Sequence, residues 1–329
     1  LRQACYAVAS GAYDMAAAVG VEKVKDSGYQ GLNAFPIPTD GTQRSVTAAA
    51  MFSLVAPAYA QKYGIDPQEL RRTLARIASK NHANGAKNER AQFRREMSVD
   101  AICKMPEVAG MLSVFDCAGV ADGAAAAIVV WAEDAHRYCE NPLYVKALAM
   151  VAGSGAGLGD QDYDYTHLPE CKAAADDAYA QAGVVDPRRE LAMAEVHDCF
   201  TPTELVLMED LGFSARGEGW RDVEAGAFDL HGDLIGFIML GNAGRVEAGA
   251  FDLRGDLPVN TDGGLKSFGH PVGASGLRML FECWLQLRGE APADRQIDTV
   301  DRGLGLTHNL GGYPGEMVSF VGIWGNRKG

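Results

Sequence analysis

Three short apolar runs, Ala124 to Trp131, Tyr144 to Ala152 and Leu191 to Val196, are separated by stretches of helical spacing, and this alternation limits the chain more than any other feature. Runs of that length and composition predict strands buried on both faces. Between the last two lies Glu170 to Ala182, a helix stopped by Gly183, and then a turn at Asp186-Pro187. Strands alternating with helices give an α/β class with a layered sheet. At 329 residues two sub-domains are expected rather than one. A hydrophobic fraction of 47% supplies a large core, and a formal charge of −13 argues against a basic nucleic-acid or membrane-surface module. The longest apolar stretch, Gly123 to Ala132, is well short of the ~20 residues that cross a bilayer. Seven cysteines without a Cys-x-x-Cys pair suggest neither a disulfide framework nor a zinc knuckle, and fit a reducing compartment.

Nearer the amino terminus, Leu1 to Val19 has helical spacing and leads into Val21-Glu22-Lys23-Val24, a short strand or its exit. From Gly31 to about Gly110 the chain turns small, basic and amide-rich, with Lys80, Asn81, His82, Asn84, Lys87, Asn88, Arg90, Arg94 and Arg95. Helical patches at Val46 to Tyr63 and Pro67 to Ser79 make this an inserted, mostly helical region over the core. Its positive character suits a phosphate-bearing ligand or a solvated helical face equally. One repeat is plain: residues 223–234 (VEAGAFDLHGDL) and 246–257 (VEAGAFDLRGDL) differ only at His231 against Arg254, a tandem duplication rather than a solenoid. Ile235 to Arg245 between the copies is expected to be an extra loop or hairpin, either a tolerated surface insertion or a changed entrance to a pocket.

The glycine-rich stretches do not spell the dinucleotide-binding, phosphate-loop or nucleophile-elbow motifs, which removes the main support for those chemistries. Three other places are richer. His197-Asp198-Cys199-Phe200 follows a buried strand and precedes Thr201-Pro202-Thr203-Glu204, which predicts a capping box with Thr201 as N-cap and Glu204 reaching back to its amide. Alternation points His197 and Cys199 to one side at the carboxyl end of a strand, where open α/β sheets place ligands. A helix N-terminus and a neighbouring imidazolium would favour a thiolate there; a packed histidine and an inert thiol are the competing reading. In Gly269-His270-Pro271-Val272-Gly273-Ala274-Ser275-Gly276 a histidine between glycine and proline lies at a surface or cleft, able to exchange protons or donate to a carbonyl oxygen; a helix from Leu277 to Leu287 follows. In Thr307-His308-Asn309-Leu310-Gly311-Gly312, polar side chains beside a glycine pair allow an oxyanion site, or a plain hairpin turn.

Taken together these segments resemble the thiolase superfamily, specifically the sterol-carrier-protein type and its bacterial acetyl-CoA acetyltransferase relatives. The resemblance runs over nearly the whole chain: Val8-Ala9-Ser10-Gly11 to Gly20-Val21-Glu22-Lys23, Lys80-Asn81-His82, Asp122-Gly123-Ala124-Ala125, the His197 tetrad, Asn260 to Gly264, Gly269-His270-Pro271, and His308-Asn309-Leu310-Gly311. It implies a five-layered αβαβα fold of two similar halves. Residues 1–30 and 111–140 would be what is present of the first half, its amino-terminal part apparently missing; 31–110 an inserted loop domain; and 141–329 the second half. It implies a coenzyme A-dependent acyltransferase of lipid metabolism that forms or cleaves the carbon–carbon bond of a 3-oxoacyl-CoA through an acyl-enzyme, with His197, Cys199 and His270 catalytic. His270 would deprotonate the nucleophile, His197 would stand where an asparagine positions an oxyanion-hole water, and Cys199 would be acid and base at the substrate α-carbon. Asn309, Gly311 and His308 would line the oxyanion and substrate site, Gly311 through its N–H. The nucleophilic cysteine is expected upstream of Leu1 by roughly two helical turns, and Cys5 is not it. Coenzyme A and acyl-CoA are substrates, with no permanently bound cofactor, no metal and no assigned cofactor-binding residues. The expected setting is cytoplasmic, as a homodimer or tetramer, with a small acyl-CoA-binding partner protein possible and neither nucleic acid nor a membrane span. A thiolase-fold retro-aldolase acting on an acyl-CoA side chain, or an inactive thiolase-like subunit, are the alternatives.

Overall fold

The computed structural model describes residues 1–24, 33–39, 42–155, 162–230 and 256–328. The helices are α1 (Arg2–Ala9), α2 (Ala48–Phe52), α3 (Val55–Tyr63), α4 (Pro67–Ala86), α5 (Val99–Cys103), α6 (Pro169–Ala182), α7 (Pro187–Glu190), α8 (Thr201–Asp210), α9 (Gly219–Glu224), α10 (Gly264–Ser267) and α11 (Ser275–Leu287). The strands are β1 (Met15–Lys23), β2 (Asn33–Thr39), β3 (Thr42–Thr47), β4 (Glu107–Ala109), β5 (Leu112–Ser113), β6 (Asp122–Val130), β7 (Tyr144–Ala152), β8 (Leu191–Glu195), β9 (Leu304–Tyr313) and β10 (Glu316–Gly325).

The main sheet has the order β7-β10-β9-β8, with β8 parallel to β9 and the other pairs antiparallel. Helix α6 packs on β7 and β10, and α11 packs on β8 and β9 while also meeting β6 and β1, which pair as an antiparallel ribbon. A core cluster ties the layers together: Cys5 of α1, Leu148 of β7, Met193 of β8, Cys283 and Leu287 of α11 and Trp324 of β10. The result is an α/β layering with helices α1 and α11 between the two sheets. Among the described residues no helix is long and apolar enough to cross a membrane.

Helix α6 ends at Gly183, left-handed at φ 71°, and β8 is buried throughout, as the sequence predicts. Elsewhere the structure corrects the pattern. The first helix ends at Ala9 and Gly11 takes φ 75°; Met15 to Val19 are strand rather than helix and run on into Val21 to Lys23, which are strand as the sequence allows. β6 is not buried on both faces. The ribbon is covered from one side among the described residues, so Val19, Val21 and Ile128 keep 71%, 68% and 62% of their surface. β7 is buried only at Ala147–Ala149. The 31–110 stretch carries a hairpin, β2 against β3, that prolines 36 and 38 conceal in the sequence; proline is tolerated in a two-stranded edge. Asp186 is a helix cap, its side chain accepting from the Arg189 amide at the start of α7. α4 outruns its predicted end at Ser79 because Asn81 and Asn84, weak helix formers, are tied to Asp198, Glu204 and the Asn260 carbonyl. The first repeat copy closes α9 and folds back, Ala227 and Phe228 carbonyls accepting from the Leu257 and Val259 amides. Residues 235–245, His231 and Arg254 lie outside the described residues.

Candidate active site

Four segments meet around a cavity of about 1960 Å³. Leaving β8, the chain turns at His197, where the Asp198 amide donates to the Val196 carbonyl (2.9 Å), and bends at Cys199 before α8 begins, so neighbouring side chains face different ways. His197 and Cys199 line the cavity. Asp198 faces away, its Oδ1 accepting from the Leu265 amide (2.6 Å) and its Oδ2 from the Lys266 amide (3.2 Å) and Asn81 Nδ2 (2.9 Å). The capping box is not formed. The N-cap of α8 is Phe200; Thr201 Oγ1 donates instead to Asp116 Oδ1 (2.7 Å), and Glu204 accepts from Lys80, Asn81 and Asn260. Buried partners from distant segments outcompete the local ones, because an unpaired buried polar group is costly.

The second segment is the Gly-His-Pro turn. His270 Nδ1 lies 2.8 Å from Ser275 Oγ, which itself donates to the Pro271 carbonyl (3.0 Å). The hydroxyl proton being so used, the network assigns the His270 proton to Nδ1 and leaves Nε2 with a lone pair. A Cβ on Gly20 of β1 would come within 2.2 Å of the Gly273 carbonyl, so only glycine lets the ribbon seat this turn.

The third segment is β9 itself. Thr307 to Gly312 form strand, not a loop, and alternation divides the expected site residues. Asn309 and Gly311 line the cavity. His308 does not: it is fully buried on the other face, its Nε2 3.3 Å from Cys171 Sγ and 3.2 Å from Ser319 Oγ. Asn309 Nδ2 donates to His197 Nδ1 (3.4 Å) and to Met279 Sδ (3.3 Å), which leaves the His197 proton on Nε2.

The fourth segment, Asp116 to Val120, carries no sequence motif of its own. It is spliced between the two histidine-bearing segments: Cys117 pairs with Phe200, the Ala118 amide donates to the Cys199 carbonyl (2.8 Å), Val120 pairs with His270, and the His270 amide donates to the Gly119 carbonyl (2.7 Å). His197 and His270 thereby meet edge to face, ring centroids 5.0 Å apart at 83°. Cys117, Lys266 and His82 also line the cavity without having been singled out as site residues.

Desolvation governs the electrostatics. Burial pushes His270 down to about 4 and His197 well below its ordinary value, the latter also through His270 nearby. Burial pushes the Cys199 thiol up to about 12, against the Thr203 hydroxyl and the Lys266 ammonium, which pull it down. The resting site therefore holds a neutral thiol between neutral imidazoles, not the thiolate and imidazolium that a helix N-terminus suggested. His82, its ring against Phe115 and Phe93, is lowered to about 4 by burial and then by Lys266. The basic stretch divides: Lys80 pairs with Glu204 and Asn81, Asn84 and Asn88 are buried in hydrogen bonds, whereas Arg90, Arg94 and Arg95 are exposed, Arg95 at the cavity lining. Cys5 sits in the interlayer core and does not line the cavity, whereas Leu1 to Ala4 do. No cluster that could hold a metal ion occurs among the described residues.

The chain matches a family model described as thiolase C-terminal domain-like in two stretches, residues 157–235 and 233–321. The acetyl-CoA acetyltransferase of Methanothermobacter thermautotrophicus is 36% identical over 329 residues, covering 98% of this chain and 76% of that protein. Sterol carrier protein 2 of Homo sapiens is 30% identical over 289 residues, covering 84% of this chain and 47% of that protein. Among solved structures, the Ltp2-ChsH2(DUF35) aldolase superposes with a TM-score of 0.77 at 22% identity, covering 99% of this chain and 76% of that one.

Proposed function

The chain belongs to the thiolase superfamily, in its sterol-carrier-protein type, and on that premise we propose that it is a thiolase-type acyltransferase that forms or cleaves the carbon–carbon bond of a 3-oxoacyl-CoA. The observation that carries this reading is the convergence of His197, Cys199, His270 and Asn309 on one cavity. His270, its Nδ1–H fixed by Ser275, offers Nε2 to take the proton of a thiol nucleophile. His197, held by Asn309 with its proton on Nε2, donates to the thioester oxygen beside the Gly311 N–H. Cys199 passes one proton to and from the substrate α-carbon: as thiol it protonates the carbanion released by cleavage, and as thiolate it removes that proton for synthesis. Keeping His270 neutral serves this, since an imidazole already protonated at pH 7 cannot accept a proton. Residues 31–110 act as the loop domain over this cavity, between 1–30 with 111–140 and the second half, 141–329. The working unit is a homodimer or tetramer in the cytoplasm, serving lipid metabolism.

A retro-aldolase acting on an acyl-CoA side chain, with a small partner protein, is the second reading, favoured by the shared fold with the Ltp2-ChsH2(DUF35) aldolase. Full-length protein mixed with acetoacetyl-CoA and free coenzyme A is expected to yield acetyl-CoA, to show an acetyl adduct in its intact mass, and to lose about 10²–10⁴ of its rate as Cys199→Ala. Aldol cleavage without any covalent adduct would favour the second reading. Absence of turnover on both substrate classes would leave the non-catalytic subunit.

A further inference from the structure

Lys266 is a buried cation without a carboxylate in contact. It belongs to α10, four residues before His270 of the Gly-His-Pro turn, and is 1% exposed while lining the cavity. Its Nζ donates to the carbonyl of Asp116 (2.8 Å) and to that of Asp198 (2.9 Å), the residues directly before Cys117 and Cys199. Both neighbouring carboxylates are occupied elsewhere. Asp198 accepts from Leu265, Lys266 and Asn81 through N–H donors, and Asp116 accepts from Ser113, Thr201 and Arg71. An ammonium has three N–H donors, and the two carbonyls use two of them. A charge held by neutral acceptors keeps most of its field, and a low-dielectric site transmits it. The Lys266 charge reaches four groups on the cavity wall, His82, Cys117, His197 and Cys199, in each case in the direction of disfavouring further positive charge or favouring negative. Arg2 and Arg95, the other cationic side chains on the cavity among the described residues, are only partly buried or exposed.

We propose that Lys266 is a positioning residue of this site: its buried ammonium holds the negative charge that Cys199 acquires when the thiol gives its proton to the substrate α-carbon. This rests on the acid–base role of Cys199 in the proposed reaction. The step balances within the site. The S–H bond breaks, its electron pair stays on sulfur, the proton goes to the carbanion, and Lys266 keeps all three protons throughout. In the reverse direction the same charge favours the thiolate that removes the α-proton. Two features suit Lys266 to this. It clamps the backbone immediately before Cys199, so its distance to the sulfur is fixed from behind. Its charge is not spent on a salt bridge, and the Asp198 carboxylate, which opposes it at Cys199, is turned toward the N–H groups of Leu265, Lys266 and Asn81. The other groups facing Cys199 are Thr203 of α8, Asp198 beside it, Cys171 of α6, Cys117 of the neighbouring segment and the neutral His197 and His270. None of these supplies a positive charge at neutral pH.

The test measures alkylation of Cys199 by iodoacetamide against pH, read by peptide mass spectrometry in the full-length protein, with the separate Cys139 as internal reference. Three variants divide charge from scaffolding. K266M removes both charge and hydrogen bonds, K266Q keeps N–H donors without charge, and K266R keeps the charge. K266M and K266Q are expected to slow Cys199 alkylation at a fixed alkaline pH by about tenfold, one unit of thiol titration, with K266R close to the parent. On acetoacetyl-CoA, K266Q is expected to lower kcat with KM unchanged. If K266Q matches the parent in alkylation, Lys266 is only a structural clamp and the proposal falls. If K266M fails to fold, K266Q alone decides. An alkylation shift in a protein inert toward acetoacetyl-CoA would sustain the coupling of Lys266 to Cys199 and overturn the acyltransferase reading instead.

Discussion

On the cavity side of residues 197–199, Cys199 has the Thr203 hydroxyl at 3.7 Å and His197 has Asn309 at 3.4 Å, long and weak contacts both. On the rear side Asp198 accepts three N–H donors between 2.6 and 3.2 Å, and next to it Glu204 accepts from Lys80, Asn81 and Asn260. One side is neutral and under-bonded; the other is charged and saturated. Burial explains both. A charge taken out of water persists only where donors replace the lost hydration, so the rear network can stay ionised and rigid. A group that must gain and lose a proton cannot be so held, since each strong bond favours one protonation state. Three successive residues thus divide the labour of scaffold and chemistry through the turn that separates their side chains.

Removing the charged member should separate the two sides most sharply. Asp198→Ala strands two α10 amides and the Asn81 amide in a dry interior, and should cost about 3–5 kcal/mol of stability in urea unfolding. Cys199→Ala, which removes one weak bond, should cost about 1 kcal/mol or less. Equal costs would show that the rear network is not the scaffold.

Acid should find the other side. His82 and His270 are pushed down to about 4, His308 to about 3 and His197 well down, all chiefly by burial. Below the unfolded value of ~6.5 the unfolded chain binds protons that these folded sites refuse, so stability is full above that pH and falls as pH falls toward the folded values. Two groups oppose this. Burial raises Asp210 to about 6 and raises Glu195 beside Glu282, so each takes its proton first in the folded state. The four histidines each lose about 2 kcal/mol between pH 7 and 5 and the two carboxyls return about half of the total, leaving a net loss of about 4 kcal/mol. Unfolding curves at the two pH values check it, and a flat profile would mean that water reaches the imidazoles.

The sequence carried the site better than the local structure around it. His197, Cys199 and His270 were legible from their place after a buried strand and in a Gly-His-Pro turn, and Asn309 and Gly311 from the glycine pair and the family resemblance; all five reach the cavity. His308 was misplaced because a strand read as a loop loses its alternation, and the side chain that belongs against Cys171 was assigned to the cavity. The capping box failed because Asp116 and Lys80, 85 and 124 residues away, hold Thr201 and Glu204 more strongly than the local amide does. Lys266 and Cys117 left no mark at all. Their meaning comes from which carbonyls and thiols lie beside them, and no local pattern encodes that. The exposed β1–β6 face was hidden in the same way, since an apolar run states that a strand is buried without stating on how many sides.

The smallest effect tests how far the under-bonded side depends on its few contacts. Ser275 is 1% exposed and gives His270 a single acceptor, and its own proton is committed to Pro271. Ser275→Ala removes that acceptor without removing any donor that must be re-hydrated on the rear side. The loss in stability should be about 1 kcal/mol, the net worth of one hydrogen bond. Its effect on chemistry should be larger in proportion. Without Ser275 the His270 proton can occupy either ring nitrogen, and molecules carrying it on Nε2 have no lone pair facing outward for a thiol proton. A kcat lowered about tenfold with KM unchanged is expected, together with mixed tautomers in nitrogen NMR of the His270 ring. If the tautomer stays fixed in the variant, the backbone of the turn and not the serine sets it, and the cavity side is more rigidly determined than its sparse hydrogen bonds suggest.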